Sequence, residues 1–337
     1  MSFVSQLSAF RAFRVVSCAL AAATVTLVPF EGASAQIYPN KPIRIISNYT
    51  PGGTTDFVAR SLGQKLSEAV GQPVTVENRP SANGVVGTQE AIRSKPDGYA
   101  LLFSTSGHTS VSKALLTDRL PFDPFKDISP ITLAVLITQI LVVHPSLGVT
   151  NIPEFVKLMK ANPGKYSYGS AGPGSPNHLG VELLKYMAGF DILHVPYKGG
   201  APAVVDLVAG RTQLILNAMV AVLPMVKAGK VVPIGVGSAR RSAADPDVPT
   251  VAEQGYPDFE VYTWYGMFAQ AGLPRDLTLK LNGIFNNALK QPDVVKGFTA
   301  QGAEPAGGTP EDLAKIMRSE YERWRKVVVA AKIEVDE

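Results

Sequence analysis

Tyr49-Thr50-Pro51-Gly52-Gly53-Thr54-Thr55-Asp56 lies between a short apolar run, Ile43-Arg44-Ile45-Ile46, and a stretch with helical periodicity. Two glycines let the backbone approach a ligand closely. Thr54 and Thr55 are candidate caps for the helix, whose first N–H groups have no partner within it. Such a corner offers donors and a partial positive charge to an anion. A second corner of this kind occurs far later, at Gly169-Ser170-Ala171-Gly172-Pro173-Gly174-Ser175. Two facing corners can grip one small carboxylate.

Working outward, short apolar runs alternate with helix-length segments. Strands are predicted at 43–47, 74–77, 100–104, 139–144, 166–169, 192–195, 213–216, 232–237 and 261–268. Helices are predicted between them at 55–70, 85–94, 152–161, 176–188, 201–209 and 221–228. In the first helix Val58, Leu62, Leu66 and Val70 fall on one face, the period of an amphipathic helix. Asn151 is placed to cap the helix that Asn162-Pro163-Gly164 stops. This alternation argues for an α/β protein of doubly wound, parallel sheets covered by helices. The tail adds helices near 276–289, 293–300 and 310–331 and too few strands for a domain of its own. It is expected to return to the first domain. Residues 36–138 with 263–337 then form one domain and 139–262 an inserted second one. Two connecting strands make a hinge, and a hinge places a cleft between the domains.

Residues 1–35 have the form of a secretory signal peptide. Arg11 and Arg14 are basic, Val15–Phe30 is apolar, and Ala33-Ser34-Ala35 is an A-x-A site, so cleavage is expected after Ala35. The apolar run is shorter than the roughly 20 residues that span a bilayer. The single cysteine, Cys18, falls inside this segment. The remaining chain therefore has no thiol chemistry and no disulfide. The whole chain has 32 basic and 28 acidic residues. Without Arg11, Arg14 and Glu31 the balance is 30 against 27, a net +3. The basic residues form no stripe, which argues against a nucleic-acid partner. The histidines, His108, His144, His178 and His194, have no metal-ligand spacing. No nucleophile elbow, P-loop or dinucleotide fingerprint occurs. Neither a cofactor, a metal nor a catalytic centre is expected.

Two more corners follow predicted strands: Ser104-Thr105-Ser106-Gly107-His108 and Pro196-Tyr197-Lys198-Gly199-Gly200. In a doubly wound sheet such corners gather at the carboxyl ends of strands, where ligands bind. The expected ligand-binding set from these corners is Tyr49, Pro51, Gly52, Gly53, Thr54, Thr55, Asp56, Thr105, Ser106, Ser170, Ala171, Gly172, Ser175, His178, Tyr197 and Lys198. Several have a second reading. Asp56 either complements the helix dipole or accepts from a water or ligand donor. His178 either donates to the ligand or packs on its helix. Tyr49 and Tyr197 form either an aromatic wall or strand-end packing, and Lys198 points either into the cleft or to solvent.

These residues resemble a known family, the substrate-binding proteins of tripartite tricarboxylate transporters (the TctC or Bug family). The likeness rests on Tyr38-Pro39-Asn40-Lys41-Pro42, Thr50-Pro51-Gly52-Gly53, Val76-Glu77-Asn78-Arg79-Pro80, Lys95-Pro96-Asp97-Gly98-Tyr99, Tyr168–Ser175 and His194-Val195-Pro196-Tyr197-Lys198-Gly199, in order along nearly the whole chain. The resemblance implies a type II periplasmic binding protein fold, two lobes closing on a ligand. It implies a small organic carboxylate held by the corners at Pro51–Thr54 and Ser170–Ser175, partly through ordered water. It also implies delivery to membrane transporter subunits. Asn217 departs from the family pattern, where an acid or glycine is commoner, and joins the expected ligand-binding set as a neutral amide. Ser81-Ala82-Asn83-Gly84 and Met267-Phe268-Ala269-Gln270 are further departures. The expected protein is a monomeric periplasmic solute-binding protein without chemistry of its own. A sensing module for a membrane signalling protein and a secreted serine hydrolase are the alternatives.

Overall fold

The computed structural model describes residues 38–330 and Ile333, Lys198 excepted. The signal segment with its site at Ala35, and Lys198, lie outside the described residues. The fold is built by the unit from Lys41 onward. Its first run is β1 (Ile43–Ser47), α1 (Thr54–Val70), β2 (Val74–Asn78), α2 (Val85–Arg93) and β3 (Ala100–Thr105). β1 lies between β2 and β3 and is parallel to both. α1 buries Val58, Leu62 and Leu66 completely, the face that the four-residue spacing selects. Each such side chain stabilises the fold by about 1.5–3 kcal/mol.

Next come α3 (Ser110–Leu116) and β4 (Ile128–Val143). A second alternating run follows: α4 (Ile152–Ala161), β5 (Ser167–Ser170), α5 (Pro176–Ala188), β6 (Leu193–Pro196), α6 (Gly200–Val208), β7 (Leu214–Ala218), α7 (Met219–Lys227) and β8 (Val232–Val236). Asn151 caps α4, its Oδ1 accepting from the Glu154 N–H at 2.9 Å. The chain then returns through β9 (Tyr262–Gln270) and ends with α8 (Arg275–Ala288), α9 (Pro292–Ala300), β10 (Glu304–Pro305) and α10 (Pro310–Ala330).

The sheet order is β2-β1-β3-β9-β4-β7-β5-β6, with β8 and β10 also on β4. It is mixed rather than purely parallel. β5 is parallel to β6 and β7, but β9 runs against β3 and β4, and β4 against β7, β8 and β10. The difference comes from β4, which extends the expected 139–144 strand back to Ile128. Along Ile128–Thr138 it pairs with β9, and from Gln139 or Ile140 to Val143 with β7 and β8. α3 and β10 were not anticipated from the sequence.

α10 reaches two apolar cores. Its Leu313 and Met317 pack with Ile46, Leu102, Trp264 and Phe268. Its Trp324 and Val327 pack with Phe155, Met159 and Leu184. Between them Glu320 is buried and accepts from Trp264 Nε1 at 2.7 Å. Burial pushes the Glu320 carboxyl up from 4.5 to about 7, against the pull of Arg323, Trp324 and Trp264. The folded protein therefore holds a proton that the unfolded chain has released. Its stabilisation is complete below about pH 4.5 and is lost as pH rises to about 7. Relative to the natural chain, Glu320→Gln should gain stability across that window, by up to about 3 kcal/mol. Melting temperatures of both proteins from pH 4 to 8 test this, and a pH-independent difference would contradict it.

Candidate functional site

The corner after β1 is held from beneath by Asp56. Its Oδ2 accepts from the Gly52 N–H at 3.1 Å and Arg60 Nε at 2.9 Å, and its Oδ1 from Asn78 Nδ2 at 2.8 Å. Burial pushes this carboxyl up, but the bonds from Arg60, Asn78 and Gly52 outweigh it and hold the pKa below the ordinary value. Asp56 is thus an anion whose bonds go to the protein. The expected threonine caps are corrected. Gly53 is the N-cap of α1 and no side chain caps it. Thr54 and Thr55 fall inside the first turn, where a hydroxyl cannot reach back to the N-cap position. Thr55 is buried and hydrogen-bonded to Tyr265. Pro51, Gly52 and Gly53 are exposed, ahead of a helix N-terminus without a side-chain cap.

Below the corner, Asn48 donates to Thr88 Oγ1 at 3.0 Å and Ser104 Oγ at 3.1 Å. A Cβ at Gly87 would lie 2.1 Å from Asn48 Oδ1, so any larger residue there would have to displace the Asn48 amide. Tyr49 OH and Thr105 Oγ1 are hydrogen-bonded. The Tyr49 ring stacks on His108 at 4.5 Å between centroids. His108 lies against Gly84, where a Cβ would stand 2.6 Å from Nδ1. Burial pulls His108 down to about 4, so its ring is neutral at pH 7.

The second corner is tied to stacked histidines. His178 and His194 lie 4.1 Å apart at 13°, and Tyr168 stacks on His194. His178 Nδ1 accepts from the Gly174 N–H at 3.0 Å. Ser175 caps α5 by accepting from the His178 N–H, and donates to Gly172 O at 2.7 Å. Ser170 Oγ bonds His194 Nε2 at 2.7 Å and accepts from the Gly172 N–H at 3.0 Å. The Ser170–His194 distance would suit a nucleophile and its base. However, Ser170 is fully buried, and its hydroxyl is engaged within the corner by His194 and Gly172. Tyr197 donates to Asp206 at 2.7 Å, and Asn217 Oδ1 accepts from Ala218 N and Asn177 Nδ2. The amides of Gly172 and Gly174 are engaged within the corner, unlike the open N-terminus of α1.

The two sides meet at a cavity of about 220 Å³. Tyr49, Asn83, Thr105, Gly107, His108 and Thr263 line one side, and Pro173, Gly174, Ser175 and Pro176 the other. Of the expected residues, Tyr49, Thr105 and Ser175 are brought together here. Ser106 is buried next to Thr105. Pro51–Asp56, Ser170, Ala171, Gly172, His178, Tyr197 and Asn217 are not in this lining. The sequence reading did not include Asn83, Gly107, His108, Pro173, Gly174, Pro176 or Thr263 in the site. All but Asn83, Pro176 and Thr263 belong to the strand-end corners, and Asn83 to a turn marked as a departure. Only the pairing of β9 with β4 locates Thr263. With His108 neutral, no lining side chain among the described residues carries a charge, so what they offer an anion is dipoles and hydrogen bonds. Among the described residues there is no metal-binding cluster of His, Cys, Asp or Glu. Among the same residues no helix is long and apolar enough to cross a membrane.

This is the architecture of a periplasmic binding protein with a polar hollow at its strand ends. Residues 58–333 match the family described as "Tripartite tricarboxylate transporter family receptor", and the chain belongs to that family, TctC. It is 37% identical over 295 residues to Protein BugT of Bordetella pertussis, covering 88% of this chain and 90% of that one. An R. palustris protein solved with adipate is 32% identical, with a TM-score of 0.74 over 88% of this chain and 99% of its own. MatC of Rhodopseudomonas palustris, solved with bound malate, is 30% identical, with a TM-score of 0.71 over 86% of this chain and 100% of its own.

The second corner should fail in acid. Burial, with neighbouring His194, pulls His178 from 6.5 down to about 4. The unfolded chain binds this proton first, so the stabilisation is complete above about pH 6.5 and is lost as pH falls to about 4. Compared with His178→Gln, the natural protein should lose melting temperature faster over that range. Parallel curves would show that His178 is not held neutral.

Proposed function

We propose that the protein captures a small organic carboxylate in the periplasm, between the corners after β1 and β3 and the corner opening α5. Residues 36–138 with 263–337 act as one lobe and 139–262 as the other, closing about β4 and β9. The loaded form then delivers its ligand to the membrane subunits of a tripartite tricarboxylate-type transporter. The observation that carries this reading is the polar cavity, uncharged among the described residues, where Tyr49, Thr105 and His108 face Gly174 and Ser175. The exposed, uncapped start of α1 supports it, because helix N-termini favour anions. The adipate and malate complexes of relatives support the ligand class.

The magnitudes are sufficient. A hydrogen bond to a charged group contributes about 1.5–3 kcal/mol. Three or four of them, less the costs of immobilisation and closure, give roughly micromolar affinity. No charge reversal or bound cation is required.

A thermal-shift screen of carboxylates, including adipate and malate, tests the ligand class. Ligand at about a thousand times its dissociation constant adds about 4 kcal/mol, several degrees for a chain of this size. A response confined to cations or neutral sugars would refute the class. Ser170→Ala combined with Ser175→Ala should weaken carboxylate binding at least about tenfold, or 1.4 kcal/mol, with the fold intact by circular dichroism. Unchanged affinity would remove the second corner from the site.

A further inference from the structure

A larger hollow, of about 350 Å³, lies beside α7. α7 reads Met-Val-Ala-Val-Leu-Pro-Met-Val-Lys and has apolar side chains on more than one face. Met219 and Val222 are buried in the adjoining core, while Val220 remains 36% exposed. Val220, Leu223 and Pro224 line the hollow, and Ala243 and Ala300 face them from other segments. An apolar second face on a surface helix marks a binding surface. Gly302 brings the chain after α9 close to α7. It has φ +66°, and a Cβ there would stand 2.5 Å from Val220 Cβ.

The lining defines the chemistry of an occupant. Lys227 and Glu304 both border the hollow with opposite charges, so an ion of either sign meets one repulsive partner for each attractive one. An engineered apolar cavity of about 150 Å³ takes benzene. Space of about 350 Å³ therefore suits a neutral molecule of two rings.

Its place in the fold links it to the cleft. Thr138 lines this hollow and Thr263 lines the smaller one. In the β4–β9 pairing Thr263 is opposite Ile137, and Thr138 is opposite Tyr262. Paired residues share a face and successive residues alternate. Thr138 and Thr263 therefore point to opposite faces of the same two strands. Each hollow also has one wall from residues 139–262 and another from outside that range. We propose that the hollow beside α7 is a second ligand site, for a neutral two-ring apolar molecule, whose occupation favours the closed cleft. The coupling rests on the reading of β4 and β9 as a hinge. Opening the cleft narrows the space behind the strands, and an occupant there resists it.

The neutral fluorescent probe N-phenyl-1-naphthylamine tests the site. Its fluorescence should rise saturably with the natural protein. Ala243→Trp fills the hollow and Val220→Asp puts a charge into it, both from exposed positions. Each should weaken the probe at least tenfold. No saturable rise, or unchanged affinity in a folded variant, overturns the site. Small-angle X-ray scattering reads the coupling: saturation with the probe should lower the radius of gyration of the natural protein, and an unchanged radius overturns the coupling. Neither measurement needs a carboxylate, so a failed carboxylate screen counts against the proposed function alone.

Discussion

Strand β4 sets the geometry on which both hollows depend. A buried strand must satisfy its backbone donors and acceptors through its neighbours. β4 does so with one set of partners up to Thr138 and another from Gln139 onward. The register with β9 also assigns side chains to faces. Ile137–Thr263 lies on the face with the smaller cavity, and Leu136–Trp264 on the other, where Trp264 meets Glu320. A slip of one residue would turn the indole toward the cavity and Thr263 toward the core. Burial of Trp264 therefore fixes the position of a residue in the polar site.

Among the described residues, the electrostatics of the cavity lining suit an anion without a lining cation. The Arg60–Asp56 pair has a half-exposed guanidinium, and such pairs contribute little to stability. The bonds from Gly52 N–H and Asn78 are therefore the more important ones, because they hold the loop that precedes α1. His108 is kept neutral by burial, and His178 must be neutral to accept from Gly174. A buried cation would bind an anion more strongly, but at a desolvation cost in the empty protein. Fixed dipoles avoid that cost.

Much of the fold was legible because local chemistry and tertiary role agree. In α1 the four-residue spacing is also the buried face, and Asn151 caps α4 where the sequence places it. The first part of β4 was not legible. It is buried on both faces, so it shows no alternation, and Pro130 interrupts it next to a register shift. Corners rich in Gly, Ser and Thr supply part of the lining of the polar cavity. They did not reveal which atoms remain available. The Gly172 and Gly174 amides are taken by Ser170 and His178. The His178–His194 stack joins residues that share no sequence motif. Thr263 owes its position to register alone.

The last constraint comes from α10. Leu313 and Met317 pack in one core, while Trp324 and Val327 pack in the other. Relative motion of those cores must therefore strain or slide this helix as well as twist β4 and β9. Packed side chains accommodate small shifts by sliding but resist separation, since separation exposes apolar surface. Glu320 and Trp264 lie between the two groups on α10, where sliding is least disruptive if their hydrogen bond turns as a unit. A twist centred near Trp264 would move both flanking hollows with little apolar exposure. A wide swing would have to unpack Trp324 and Val327, and ligand affinity would fall by the cost of exposing them.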